Sequence, residues 1–139
     1  MRTFTVEMLD LIERRMQTIA EHVSAAHEAS CEFAFVRNYP PTINHVNEAA
    51  FTREVLAGIV GPDNVLAQEP TMGAEDFAYM LQAKPGAYIR IGQGLPQGPG
   101  PHPLHNSRYD FNDEILPLGA ALHAGLIEQA LPLAAAINA

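Results

Sequence analysis

The sequence is poor in cysteine and in basic residues. Its 139 residues include one cysteine, Cys31, and only 8 lysines and arginines against 16 acidic residues. A single cysteine cannot form an internal disulfide, which favours a reducing and therefore cytoplasmic compartment. The net charge of −8 argues against nucleic acid as a partner, because binding its phosphates needs clustered lysine and arginine.

Long apolar runs and several catalytic motifs are missing as well. No run approaches the length of a membrane span and no signal peptide follows Met1, so we expect no membrane association. The sequence has no Cys-x-x-Cys and no His-Glu-x-x-His pair, which excludes a self-contained zinc site of those types. It also lacks a Gly-x-Ser-x-Gly elbow, and Gly92-x-Gly94 runs into prolines instead of a phosphate-binding helix.

Helical and strand periodicities alternate along the chain, which predicts an α/β domain. Apolar residues at helical spacing predict helices at about 5–29, 47–60, 74–81 and 114–131, the first capped by Thr5. Alternating or short apolar runs predict strands at 31–36, 65–67 and 87–91. Cys31 is expected to be a buried, inert thiol in the first strand, and His123 a core residue of the last helix.

The densest polar cluster runs from His102 to Asp113, between a Gly/Pro-rich loop and the last helix. His105 is able to offer a ring nitrogen to a metal or to a proton. Asp110 and Asp113 are placed to orient a ligand histidine or to cap the following helix. A solvated loop with a helix cap would explain the same residues, so the cluster alone leaves both interpretations open.

Five segments that occur in order carry a resemblance to a known family. Together they resemble the metal-dependent amidohydrolases typified by hippurate hydrolase, N-acyl-amino-acid amidohydrolases (aminoacylases) and auxin-conjugate hydrolases. The segments are Arg2-Thr3-Phe4, Tyr39-Pro40-Pro41-Thr42, Met72-Gly73-Ala74-Glu75-Asp76-Phe77, Pro85-Gly86-Ala87-Tyr88 and Leu104-His105-Asn106-Ser107-Arg108-Tyr109-Asp110-Phe111-Asn112-Asp113.

The resemblance implies a partial zinc-exopeptidase-like catalytic domain, preceded by part of a ferredoxin-like lid and dimerisation domain. Residues 1–42 are expected to be a remnant of the lid, and residues 43–139 the C-terminal part of the catalytic α/β domain. The family's early metal-binding His/Cys motif and its Glu-Glu pair have no counterpart here. The chain therefore resembles only the C-terminal part of such an enzyme.

The implied parent activity is hydrolysis of an amide between an acyl group and an amino acid. In that chemistry zinc or manganese polarises the carbonyl and activates water, while a glutamate moves the proton. By resemblance, His105 matches a metal ligand. Gly73, Ala74 and Glu75 match a substrate-positioning segment that is expected to act through helix N-terminal amides. No residue of this chain matches a catalytic base.

We therefore expect the isolated chain to be inactive and to bind the divalent metal weakly or not at all. Its expected partners are an N-acyl amino acid, a second copy of itself in a homo-oligomer, and a missing N-terminal half. The alternative is a non-catalytic module derived from the same family, which self-associates or binds a small acid.

Overall fold

The computed structural model describes residues 1–94 and 102–131. In these ranges the chain forms four α-helices, which are α1 (Val6–Ala26), α2 (Val46–Val60), α3 (Phe77–Ala83) and α4 (Leu116–Ala130). Short 3-10 turns cover Pro62–Asn64 and Asp113–Ile115. The helices belong to two compact units, Met1–His45 with Gln68–Tyr88 and Val46–Ala67 with Ile89–Ala139. The domain assignment of 1–42 and 43–139 stays a prediction.

Helix α1 begins as the sequence predicts. The Thr5 hydroxyl accepts a hydrogen bond from the Met8 backbone N–H at 3.2 Å, which satisfies one of the free amides of the first turn. Arg37 returns to the helix, with its Nη1 2.6 Å from Asp10 and its Nε donating to Glu13 at 2.9 Å. Exposed ion pairs add little stability, so this contact mainly fixes the path of the segment that follows α1.

The predicted strands are wrong for the part of the chain that the structure describes. Neither residues 31–36 nor 65–67 nor 87–91 pair in a ladder there. A strand needs a neighbour that continues a backbone ladder of hydrogen bonds, and these segments form no such ladder in the described ranges. Burial still alternates along the first segment, where Phe33 and Phe35 are half-buried with ring centroids 6.3 Å apart. Cys31 is exposed, so its expected burial is also wrong.

In the second unit α2 packs against α4. Val55 is completely buried, and Leu122 is buried on α4. The helices approach closely at Gly125, where a Cβ would lie 2.8 Å from Cδ1 of Ile59 and 3.5 Å from Cγ1 of Val55. This approach places the core face of α4 at Leu122 and Gly125. His123, one residue or about 100° around the helix from Leu122, is exposed, so its predicted core position is wrong.

Among the described residues, the helices are all too short or too polar to cross a membrane. The Gly/Pro-rich loop predicted between residues 92 and 103 falls largely on residues 95–101, outside the described ranges.

Candidate functional site

His105 lies on an exposed loop and has a backbone φ of 71°. Its neighbour Asn106 organises two successive turns: the Asn106 N–H donates to the Pro103 carbonyl at 3.2 Å, and the Asn106 carbonyl accepts from the Tyr109 N–H at 2.9 Å. The Asn106 side chain also accepts from the Arg108 N–H at 2.8 Å. A left-handed φ is uncommon for a residue with a Cβ, although histidine tolerates it better than most. The turns therefore hold His105 in a costly conformation.

Gln93 fastens the far end of this loop. Its side-chain carbonyl accepts from the Tyr109 hydroxyl at 3.1 Å and from the Asn112 N–H at 3.4 Å. Its backbone carbonyl accepts from the Asn112 side-chain amide at 2.9 Å. Sequence reasoning missed Gln93, because a glutamine next to glycines gives no sign of a partner 16 to 19 residues away.

The turn before α4 is capped by Asn112 and not by Asp110 or Asp113. The Asn112 side chain accepts from the Glu114 N–H at 3.1 Å, while Asp113 is the first residue of the 3-10 turn itself. Of the two roles considered for Asp110 and Asp113, helix capping is therefore wrong, and the orientation of a ligand histidine stays a prediction. Within the described ranges, no group of three or more His, Cys, Asp or Glu side chains is arranged to hold a metal ion.

Glu75 is half-buried, and each of its carboxylate oxygens accepts a hydrogen bond. Oε1 accepts from the Phe77 N–H at 3.3 Å, and Oε2 accepts from the Tyr88 hydroxyl at 3.0 Å. The rings of Phe77 and Tyr88 contact each other, with centroids 5.5 Å apart. Both ends of the carboxylate are thus held within the first unit.

These bonds lower the pKa of Glu75 from its ordinary value of 4.5, the Phe77 N–H contributing most and the Tyr88 hydroxyl next. Asp76 lies beside it and also favours the ionised form, whereas burial opposes it. Because the pKa is lowered in the folded state, the associated stabilisation is present above the ordinary value. It is lost as the pH falls through the lowered pKa. Glu75 is therefore ionised at neutral pH.

Tyr88 is in turn held by Asn44. The Asn44 side chain donates to the Tyr88 carbonyl at 2.9 Å and accepts from the Tyr88 N–H at 2.7 Å. The next residue, His45, donates its backbone N–H to the Gly86 carbonyl at 3.1 Å and accepts from the Gly86 N–H through Nδ1 at 3.2 Å. Sequence reasoning missed this clamp, although Gly86 and Tyr88 belong to one resemblance segment and Asn44 follows another.

The structure begins the third helix later than the predicted start at Ala74. Helix α3 begins at Phe77 and has seven residues, so the amides of Gly73 and Ala74 precede it. The expected placement at a helix N-terminus is therefore wrong, while their substrate role stays a prediction. Both residues are exposed. They belong to the first compact unit, whereas His105 belongs to the second.

An apolar pocket of about 270 Å³ adjoins this segment in the first unit. Its wall includes Met72, the residue before Gly73, and its rim includes Arg2, which donates to the Met72 carbonyl at 3.0 Å. The other lining residues are Thr3, Phe4, Thr5, Met8 and Ile12. Most of these lining side chains are apolar.

Known proteins match nearly all of the chain. The model of peptidase family M20/M25/M40 matches residues 5–129. An Arabidopsis thaliana protein named IAA-amino acid hydrolase ILR1-like 4 is 28% identical over 130 residues, which cover 90% of this chain and 29% of that protein.

Two Saccharolobus solfataricus proteins also match. Thermostable carboxypeptidase 1 is 33% identical over 109 residues, covering 78% of this chain and 27% of the carboxypeptidase. Thermostable carboxypeptidase 2 is 32% identical over 110 residues, with the same coverage of 78% and 27%. The chain thus spans less than a third of the length of these curated relatives.

The left-handed backbone of His105 is open to a direct test. Glycine adopts this conformation without the Cβ clash, whereas alanine keeps the clash. We expect His105→Gly to be more stable to unfolding than His105→Ala by about 1 kcal/mol. Chemical denaturation followed by far-UV circular dichroism measures the difference. The matched pair Leu104→Gly and Leu104→Ala, at a neighbour without a positive φ, should show the reverse order. Equal stabilities of the two His105 variants would contradict the strained loop.

Proposed function

Because the chain belongs to peptidase family M20/M25/M40, we propose that it forms part of a metal-dependent hydrolase acting on N-acyl amino acids. The family match over residues 5–129 carries the proposal. It is supported by relatives named as a hydrolase of IAA-amino acids and as carboxypeptidases. Those names share the release of an amino acid, and hippurate, a simple N-acyl amino acid, is a suitable test substrate.

We propose His105 as one ligand of the catalytic zinc or manganese. Its imidazole is exposed on a loop that Asn106 and Gln93 hold in shape, and a neutral ring nitrogen binds such metals well. A catalytic zinc site needs about three protein ligands. The described residues do not provide such a set, so we propose that another polypeptide supplies the remaining ligands. We assign no metal-dependent step to this chain alone.

The proposed substrate segment is Gly73 to Glu75. Gly73 and Ala74 present exposed backbone next to the apolar pocket at Met72. We propose that the pocket receives the apolar acyl group of the substrate, while the neighbouring backbone fixes the amide. A cytoplasmic location is part of the same proposal and rests on the single cysteine.

We propose that this chain does not supply the general base. The sequence contains no adjacent pair of glutamates, and Glu75 is already engaged by Phe77 and Tyr88. A base must lie within hydrogen-bond reach of the water that it deprotonates. We therefore propose that the isolated chain is inactive and that activity needs a polypeptide carrying the base.

Hydrolysis of hippurate tests this proposal. The isolated chain should release no glycine above background, with or without added zinc or manganese. Co-expression with a family polypeptide carrying the Glu-Glu pair and the other ligands should give turnover. In that complex His105→Ala should abolish turnover by removing a metal ligand. The control His123→Ala removes an exposed histidine from α4 and should leave turnover unchanged.

Two results would contradict the proposal. His105-dependent turnover by the isolated chain would make it a complete enzyme. Turnover of the complex that survives His105→Ala would remove the ligand assignment.

A second candidate function is self-association, which the exposed apolar face of α1 favours. Leu9 is the buried residue of this 21-residue helix, whereas Ile19 and Val23 are more than half exposed, at 55% and 56%. An amphipathic helix gains stability when such a face is covered. We propose that a second copy of the chain covers it.

Sedimentation velocity tests the self-association. At tens of micromolar, a range chosen to detect contacts of about 7 kcal/mol, the chain should sediment as a dimer or larger species. Ile19→Glu with Val23→Glu should shift it to monomer, whereas the control Gln17→Glu with Glu21→Gln, on the polar face, should not. A monomer for the unaltered chain would exclude this candidate.

A further inference from the structure

Glu75 lies in the proposed substrate segment, yet its carboxylate already has partners on both oxygens. Oε1 accepts from the Phe77 N–H and Oε2 from the Tyr88 hydroxyl. The side chain is half-buried, whereas Gly73 and Ala74 just before it are exposed. The segment thus divides into an exposed part that is free to contact a ligand and an anchored part.

The charge of Glu75 also argues against contact with the substrate. An N-acyl amino acid carries a carboxylate, and two like charges in a partly buried place repel each other. Glu75 is ionised at neutral pH, because its hydrogen bonds favour the anion. A substrate carboxylate would therefore avoid this side chain.

Tyr88 reaches Glu75 from a backbone that Asn44 fixes. One primary amide donates to the Tyr88 carbonyl and accepts from the Tyr88 N–H, as a neighbouring strand would. These bonds join residues 44 positions apart in the sequence. The Tyr88 ring also contacts Phe77, which donates to the same carboxylate. Any displacement of Asn44 would therefore be transmitted to Glu75.

We infer that Glu75 is a positioning residue, held through a relay from Asn44 by way of Tyr88, and that it fixes the Gly73–Ala74 backbone without contacting the substrate. The inference rests on the proposed function only where it assigns Gly73 and Ala74 to the substrate. The relay itself is a property of the first compact unit and is measurable in the isolated chain.

Carboxyl NMR titration of the isolated chain tests the relay. Tyr88→Phe removes a donor to the anion, so the pKa of Glu75 should rise. Asn44→Ala should raise that pKa too, although Asn44 does not bond to Glu75. Asn44→Asp keeps an acceptor for the Tyr88 N–H, loses the donor to the Tyr88 carbonyl and adds a negative charge, and the last two changes should both raise the pKa of Glu75. The control Tyr109→Phe, which removes a hydroxyl bonded to Gln93, should leave the pKa of Glu75 unchanged.

Hydrogen exchange gives a second readout that does not depend on titration. In Asn44→Ala the Phe77 amide, which donates to Glu75, should exchange about tenfold faster, the loss expected for one hydrogen bond to a charged group. A native-like amide spectrum for the remaining residues establishes that the variant is folded. If Asn44→Ala is unfolded, the pKa of Glu75 and the Phe77 exchange rate are measured in Asn44→Asp and Tyr88→Phe instead. Folded variants in which neither the pKa of Glu75 nor this exchange rate changes would overturn the relay.

Replacement of Glu75 itself distinguishes a residue that positions the Gly73–Ala74 backbone from one that contacts the substrate. Gln keeps an acceptor and the shape of the side chain, so Glu75→Gln should leave the Gly73 and Ala74 amide resonances close to their original positions, whereas Glu75→Ala should move them. Hippurate should then perturb these amides similarly in the unaltered chain and in Glu75→Gln. If the hippurate-induced shifts of these amides were lost equally in Glu75→Gln and Glu75→Ala, Glu75 would contact hippurate itself, which would overturn the positioning role. If hippurate perturbs neither amide in any variant while the relay is measured as expected, the proposed substrate segment fails and the relay stands.

Discussion

Four hydrogen bonds join Asn44 and His45 to Gly86 and Tyr88, and they close the first compact unit. They bring together two segments that are more than 40 residues apart in the sequence. The His45 backbone N–H bonds to the Gly86 carbonyl, while the side chains of His45 and Asn44 bond to the peptide groups of Gly86 and Tyr88.

The placement of the candidate substrate segment follows from that clamp. Tyr88 directs its hydroxyl to Glu75, and Glu75 joins the start of α3 through Phe77. In the other unit Gln93 has a comparable task, because it holds both Tyr109 and Asn112 beyond the His105 loop. In each case an amide side chain, able to donate and accept together, fixes a loop that regular secondary structure does not hold. Residues of this kind can hold a loop in place without contacting a ligand.

Local features were predictable from the sequence, and features that depend on distant partners were not. Thr5 caps α1 and Gly61 follows the end of α2 as expected, because caps and breakers act within a few residues. The strands predicted at 31–36 and 87–91 were wrong. Alternating apolar and polar residues indicate that a segment favours an extended conformation, but they do not show that a second strand lies beside it. The predicted core face of α4 was wrong by one residue, which placed His123 in the core. All faces of α4 are rich in apolar residues, and only the close approach of α2 at Gly125 shows which face is buried.

The candidate site was predictable only through resemblance. Spacing alone left His105 undecided between a ligand and a solvated loop, and its assignment as a ligand comes from the motif resemblance and stays a proposal. Neither Gln93 nor Asn44 could be selected, because a polar side chain reveals its bonding partner only in the folded chain.

Calorimetric titration of zinc and manganese into the chain tests the central claim most directly. We propose that His105 is one ligand of a metal site and that this chain by itself does not complete the site. One imidazole binds these metals weakly, because tight sites need several ligands with ordered supporting contacts. We therefore expect no stoichiometric binding of sub-micromolar affinity in the isolated chain, and tight binding that depends on His105 once the polypeptide carrying the other ligands is present. A stoichiometric, sub-micromolar site in the isolated chain would contradict it.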